Sequence, residues 1–404
     1  MNSYPNLAKI QKTKKKFKIL PILIALILVA SLVTVILIAV KVYRQANELV
    51  RVPSDPFPDV AENTMPVYTE TNFKSLDNLT ILSGWYFAHK AEYFRGNIIF
   101  VHHNHADRVQ FGLDTADLFY NLIQSGFNVL AFDLRHSGRS QGEISSYGFS
   151  EYEDVIAAMN AMRNINGKTD FILFGVGTGT VASMLAWDYL PTQDVVEKKI
   201  PANIKEMELT RDDIIGFILD TPTASANDYI CADLPNQSFY DKHIARRFVP
   251  AAVKATSGSN RNSNMISIIT KIQLPIIITR NLPDTKLEST AIDSLIDERL
   301  RLHPDTTKVF EIAEPGHLEG FNFQSAEYLA NLNSFLDTWY PNPENIIALD
   351  DISDETNDDI LDENYVDTPT ETLDDIPTET LDDTFNENLG ETRTDSSADI
   401  SDDY

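Results

Sequence analysis

The sequence predicts an α/β fold with a mostly parallel sheet covered on both faces. Three features of its 404 residues carry that prediction. Short apolar runs alternate with segments of helical periodicity. One run, 170–174, leads into Gly175-Val176-Gly177-Thr178-Gly179 and then a helical stretch, which reads as strand, tight turn and helix. A hydrophobic content of 43% is enough to bury one large core.

Before the folded part lies a basic segment, 1–18, with Lys9, Lys12, Lys14, Lys15, Lys16 and Lys18, followed by an uninterrupted apolar run over 19–40. About 22 residues at 1.5 Å each cross a hydrocarbon core of about 30 Å. The run is longer than a signal-peptide core, and Val40-Lys41-Val42-Tyr43 offers no small-residue cleavage site, so it reads as an uncleaved signal anchor. Lysines before the run outnumber Lys41, Arg44 and Arg51 after it. This predicts a single-pass membrane protein, N-terminus cytoplasmic and domain extracytoplasmic. Cys231 is the only cysteine, which rules out an internal disulfide and fits a bacterial inner membrane. Residues 41–64, with Pro53, Pro56 and Pro58, read as a linker that holds the domain off the membrane.

The folded part is expected over 65–340. Strands are predicted at 98–102, 129–133, 170–174, 214–219, 275–279 and 308–312. Helices are predicted at 113–124, 150–165, 181–190, 289–301 and 326–339. That over 150–165 is marked by Asp154, Ile156, Met159 and Met162 at helical spacing. The stretch 225–269 is longer and less periodic, and its position after the 214–219 strand suits an inserted lid.

The net charge of −27 belongs mainly to residues 341–404, where 22 acidic residues meet one arginine (−21), leaving −6 on the first 340 residues. With no basic cluster in the folded part, nucleic acid is excluded as an expected partner. The tail contains the octapeptide 369–376 followed directly by its near copy 377–384, too short and acidic to form a solenoid. It reads as disordered, either a solvated extension or a docking segment for a basic or cation-binding protein partner.

Several motifs in order make the region 67–339 resemble the α/β-hydrolase superfamily, particularly its membrane-anchored serine-aminopeptidase-like and lysophospholipase-like members. They are Leu82-Ser-Gly-Trp85-Tyr86, Val129 to Arg135 with Gly138-Arg-Ser-Gln-Gly142, Ser146-Tyr-Gly148, the glycine-rich turn, Leu219-Asp-Thr-Pro222 and Pro315-Gly-His317. The resemblance implies an eight-stranded sheet and a triad in chain order Ser, Asp, His. It places the histidine at His317, the acid at Asp284 and the nucleophile at Gly177, which has no side chain to attack a carbonyl. For the oxyanion hole it implies backbone N–H groups from Thr178 and from His103 in the His102-His103-Asn104-His105 loop.

A second chemistry is open at that loop, because His103-Asn-His105-Ala-Asp107 resembles the zinc-binding run of metallo-β-lactamase-like hydrolases. Arg108 then stands where that family continues with histidine, and His136 is the next histidine in the chain. The expected function is therefore a pseudohydrolase with a binding or scaffolding role, without a cofactor, for a small-molecule, lipid or peptide ligand. The alternative is an active ester or amide hydrolase in which Asp284 and His317 activate water, or in which His102, His103 and His105 hold a metal.

Overall fold

A computed structural model describes residues 19–54, 61–192 and 201–343. The expectations for 1–18 and for the tail beyond 343 fall outside the described residues.

The strands β1 (Thr69–Lys74), β2 (Ile81–Phe87), β3 (Gly96–Val101), β4 (Phe127–Phe132), β5 (Phe171–Val176), β6 (Ile214–Asp220), β7 (Ile276–Asn281) and β8 (Thr307–Ile312) form one eight-stranded sheet. Its order is β1-β2-β4-β3-β5-β6-β7-β8, with β2 antiparallel to β1 and β4 and every other pairing parallel. β3, β4, β5 and β7 are buried along their whole length, as near-continuous apolar runs must be when helices cover both faces. Successive residues of β5 point to opposite faces. Phe171 and Leu173 join one apolar core, Ile172 and Phe174 the other.

α1 (Ile19–Val50) and the short α2 (Ala61–Thr64) precede the sheet. α3 (Thr115–Gln124) links β3 to β4, α4 (Tyr152–Asn166) links β4 to β5, and α5 (Thr178–Tyr189) with α6 (Ala202–Met207) lies between β5 and β6. α7 (Ala226–Asp233), α8 (Arg246–Thr256) and α9 (Ile266–Ile269) lie between β6 and β7. α10 (Ser289–Leu302) leads to β8, and α11 (Gly320–Phe323) and α12 (Ser325–Trp339) close the domain. One core packs Val155, Met159, Val181 and Leu185 of α4 and α5 on the sheet; the other packs Leu118, Leu122, Leu332 and Phe335 of α3 and α12.

Two segments differ from expectation. The residues expected to open a linker at 41 continue α1 for three further turns, and Val42, Ala46 and Val50, spaced by four on one helix face, are buried in the domain core beside α8. Backbone contacts fasten its end: Ser145 N donates to Val50 O at 2.8 Å, and Gly138 N donates to Ser54 Oγ at 2.8 Å. The aperiodic stretch 225–269 carries short helices joined by loops, and a π-helical turn (Asp241–Ala245) and the internal Pro250 of α8 interrupt its register.

Candidate active site

The sheet reverses its winding between β3 and β5, where chain segments leaving the two strands depart to opposite sides. The crevice beyond the carboxyl ends of the strands at such a point is where open α/β sheets bind ligands. Loops after β3, β5, β7 and β8 meet there.

Gly177 forms the turn from β5 into α5, with φ 56° and ψ −119°, a left-handed conformation that strains any residue with a side chain. Its N–H donates to Asp220 O at 2.9 Å. The flanking glycines serve close approach: a β-carbon on Gly179 would lie 2.1 Å from Val101 O, so the start of α5 touches the end of β3. A β-carbon on Gly177 itself would lie 2.2 Å from His103 Nδ1 and 3.0 Å from Leu318 Cδ1. The His103 imidazole occupies the space above the turn.

That ring also engages the amide expected to face an oxyanion. Thr178 N donates to His103 Nδ1 at 3.0 Å, His103 N donates to Gln110 Oε1 at 2.7 Å, and Asn104 N donates to Thr178 Oγ1 at 2.7 Å. The expectation that Thr178 and His103 present backbone donors to a ligand is thus corrected: each has a partner inside the protein. Because His103 Nδ1 accepts, its ring is neutral with the proton on Nε2. Burial, and then the neighbouring His317 ring and Lys286, push its pKa well below the usual histidine value.

On the other side of the crevice, His317 and Asp284 come together. His317 Nδ1 lies 2.9 Å from Asp284 Oδ2 and 3.1 Å from Oδ1, and Asp284 Oδ1 also accepts from Lys286 N at 2.8 Å and Leu287 N at 2.7 Å. The two loops are laced by Thr285 N donating to Gly316 O at 3.0 Å. With Nδ1–H turned to the carboxylate, His317 Nε2 carries the lone pair, and it is buried without a hydrogen-bond partner. The His103 and His317 rings meet edge to face, 6.0 Å between centroids, and Tyr229 packs against both. Such a carboxylate-held imidazole can take a proton from a group placed at Nε2.

The side chains named for the metal alternative do not converge on one point. Among the described residues no group of three His, Cys, Asp or Glu side chains could hold a metal ion. His102 has both ring nitrogens engaged: Nδ1–H donates to His103 O at 2.7 Å and Nε2 accepts from Leu134 N at 2.9 Å. Asp107 Oδ1 accepts from Val109 N at 2.7 Å, and His105 lies against Tyr147 with a ring separation of 6.2 Å. Arg108, which breaks the zinc-binding pattern, forms a buried ion pair with Asp133, Nη2 to Oδ2 at 2.6 Å and Nε to Oδ1 at 3.0 Å. Burial would raise the Asp133 pKa, but the Arg108 guanidinium outweighs it and holds the carboxyl below its usual range.

Sequence reading did not identify Gln110, Leu318 or the Arg108–Asp133 pair, none of which carries a spacing signature. Nor did it single out Asp220, which accepts from Tyr328 Oη at 3.0 Å and whose carboxyl burial pushes up to about 6. The segment 225–269, which carries α7, α8 and α9, forms a cap, and between it and the Asp284 loop lies a cavity of about 410 Å³ lined by Ser225, Asp228, Cys231, Arg246, Lys286 and Glu288 among others.

Strand order, crossovers and crevice define an α/β-hydrolase fold. Two crystal forms of the Pyrococcus furiosus esterase Pf2001 resemble the chain at TM-score 0.53. They are 17% and 16% identical, cover 72% of this chain, and are themselves covered over 100% and 98% of their length. An uncharacterized Bacillus subtilis protein, YqkD, is 23% identical over 252 residues, 62% of this chain and 74% of its own length. No known family profile matches the chain. At these identities the likeness is one of fold, a hydrolase-like scaffold.

Proposed function

We propose that the chain is a membrane-anchored protein of hydrolase fold in which Gly177 holds the nucleophile's place without a nucleophile. Serine-type catalysis is lost and the domain serves binding or scaffolding. One observation carries the reading: His103 Nδ1 lies 2.2 Å from where a β-carbon on Gly177 would stand. A triad needs hydroxyl, imidazole and oxyanion donors to converge. Here the hydroxyl is missing, its space is filled and the donors are engaged. The ligand is a small molecule, lipid or peptide admitted through the cavity beside Lys286. The anchor is the apolar part of α1, whose most apolar 18-residue window has a mean hydropathy of 3.2 and no buried residue. Its N-terminus lies in the cytoplasm and the domain outside, at a bacterial inner membrane. The acidic tail, with 22 acidic residues and one arginine over 341–404, offers its charge to a basic protein partner.

The test treats the full chain in detergent micelles with a fluorophosphonate, short p-nitrophenyl esters and aminoacyl-p-nitroanilides. The expected result is no adduct, and turnover no greater than that of His317→Ala. A fluorophosphonate adduct mapped to this pocket would end the reading.

A second reading is favoured by the unpartnered, buried Nε2 of His317. The Asp284–His317 pair would then draw a proton from water, which attacks an ester or amide directly. Turnover abolished by both His317→Ala and Asp284→Ala, without any fluorophosphonate adduct, selects it.

A further inference from the structure

The apolar run of α1 ends at Val40 and the first charge follows at Lys41. On a helix that crosses a bilayer, this change marks the boundary between hydrocarbon and headgroups. The domain already touches α1 on the apolar side of that boundary. Ile38 is partly buried against the core and Val42 is buried in it, a step of about 6 Å along the helix axis. A domain packed rigidly at this height cannot stand off the membrane.

The cap makes the contact. Lys41 Nζ lies 3.6 Å from the centre of the Tyr240 ring, and Tyr240 Oη donates to Gln45 Oε1 at 3.3 Å, which sets Tyr240 level with the first turn beyond the apolar run. Its chain neighbour Phe239 is 74% exposed, with its ring 4.6 Å from that of His243. An aromatic side chain gains most at the headgroup level of a bilayer, where one end is apolar and the other wet. Exposed Lys242, with Lys41 and Arg44 of α1, supplies cations to lipid phosphates at the same level.

We propose that the cap rests in the membrane interface, with Phe239 and Tyr240 as its aromatic anchors and lipid as their partner. This rests on the reading of α1 as a membrane span.

Nitroxide labels on the full chain carrying Cys231→Ser test it, in vesicles of phosphatidylcholine and phosphatidylglycerol. The labels are placed by Phe239→Cys in the cap, Leu32→Cys within α1, and Leu302→Cys at the far end of the sheet. The ratio of oxygen to nickel-chelate collision rates should be highest at Leu32→Cys. It should be several-fold higher at Phe239→Cys than at Leu302→Cys. Equal values at Phe239→Cys and Leu302→Cys, with Leu32→Cys still lipid-exposed, overturn the docking and leave the anchor standing. An aqueous Leu32→Cys overturns both. If the Cys231→Ser background does not fold, Phe239→Trp in the cysteine-containing chain gives the same answer. Brominated lipids should quench its added emission; unquenched emission overturns the proposal.

Discussion

The two halves of the crevice differ in what their polar atoms do. On the β7–β8 side, Asp284 and His317 keep the geometry of a working carboxylate–imidazole pair, with one ring nitrogen held at 2.9 Å and the other unpartnered. On the β3–β5 side, His103 closes over Gly177 and takes the Thr178 amide for itself. The kept half leaves one ring nitrogen buried and unpartnered, whereas the polar atoms of the filled half are bonded within the protein. Losing residues of the filled half should therefore cost stability, and losing residues of the kept half should cost little.

The largest effect tests whether the His103 ring, and not only the lack of a hydroxyl at Gly177, bars a fluorophosphonate from this turn. Gly177→Ser alone should remain unlabelled by fluorophosphonate, because the new side chain runs into the His103 ring at a positive φ that already disfavours it. Gly177→Ser with His103→Gly should become labelled, since the second change clears the ring and frees the Thr178 amide. In that background Asp284→Asn should lower the labelling rate on the order of 10⁴-fold, as loss of the orienting carboxylate does in serine triads. Labelling of Gly177→Ser alone would show that His103 yields easily, and the contrast between the halves would collapse.

Next in size is Arg108→Ala, which leaves Asp133 buried without its guanidinium beneath the His103 loop. Breaking a buried pair in this way costs about 3–5 kcal/mol. For a domain of this size that lowers Tm by about 10 °C in a thermal melt. A loss of under about 1 kcal/mol would mean the filled half does not lean on this pair.

The sheet was legible because its strands are short apolar runs buried on both faces. The run expected at 275–279 is β7 (Ile276–Asn281), and that at 308–312 is β8 (Thr307–Ile312). Asp284 and His317, 33 positions apart, were found through the motifs around them and not from any local periodicity. The contact between His103 and Thr178 spans 75 positions and depends on how β3 and β5 lie side by side. Nothing in the sequence links a glycine in the turn to a histidine in the loop, and only the packed sheet reveals that the ring of one fills the space above the other. The continuation of α1 was missed for a similar reason: Val42, Ala46 and Val50 are a thin apolar stripe among charged neighbours, and Pro53 beyond them suggests a loop.

A smaller effect separates the halves by pH. The His103 pKa is depressed in the fold, so as pH falls through about 6.5 the unfolded chain takes up a proton that the folded chain refuses. Stability then declines as pH drops, by up to about 1.4 kcal/mol per pH unit for this proton, until the folded-state value is reached. Above that window both states are neutral and the term vanishes. His102 is depressed in the same direction, chiefly by burial, and adds to the slope. Urea midpoints from pH 7.5 to 5 should therefore fall less steeply for His103→Asn than for the unaltered chain. Parallel curves would place no titrating imidazole above Gly177.

The smallest expected effect is on the kept half. Asp284→Asn, with Gly177 and His103 unaltered, retains a side-chain oxygen to accept from Lys286 N and Leu287 N. What it loses is the charged acceptor for His317 Nδ1. A hydrogen bond to a charged group contributes about 1.5–3 kcal/mol, and a partly exposed histidine recovers most of that by turning to water. The denaturation midpoint should move by no more than the remainder, far less than for Arg108→Ala. A loss approaching that of Arg108→Ala would show that the Asp284–His317 pair fastens the loops after β7 and β8 and is kept for folding. Near-neutrality leaves stability out as the reason for a pair whose second ring nitrogen is buried without a partner.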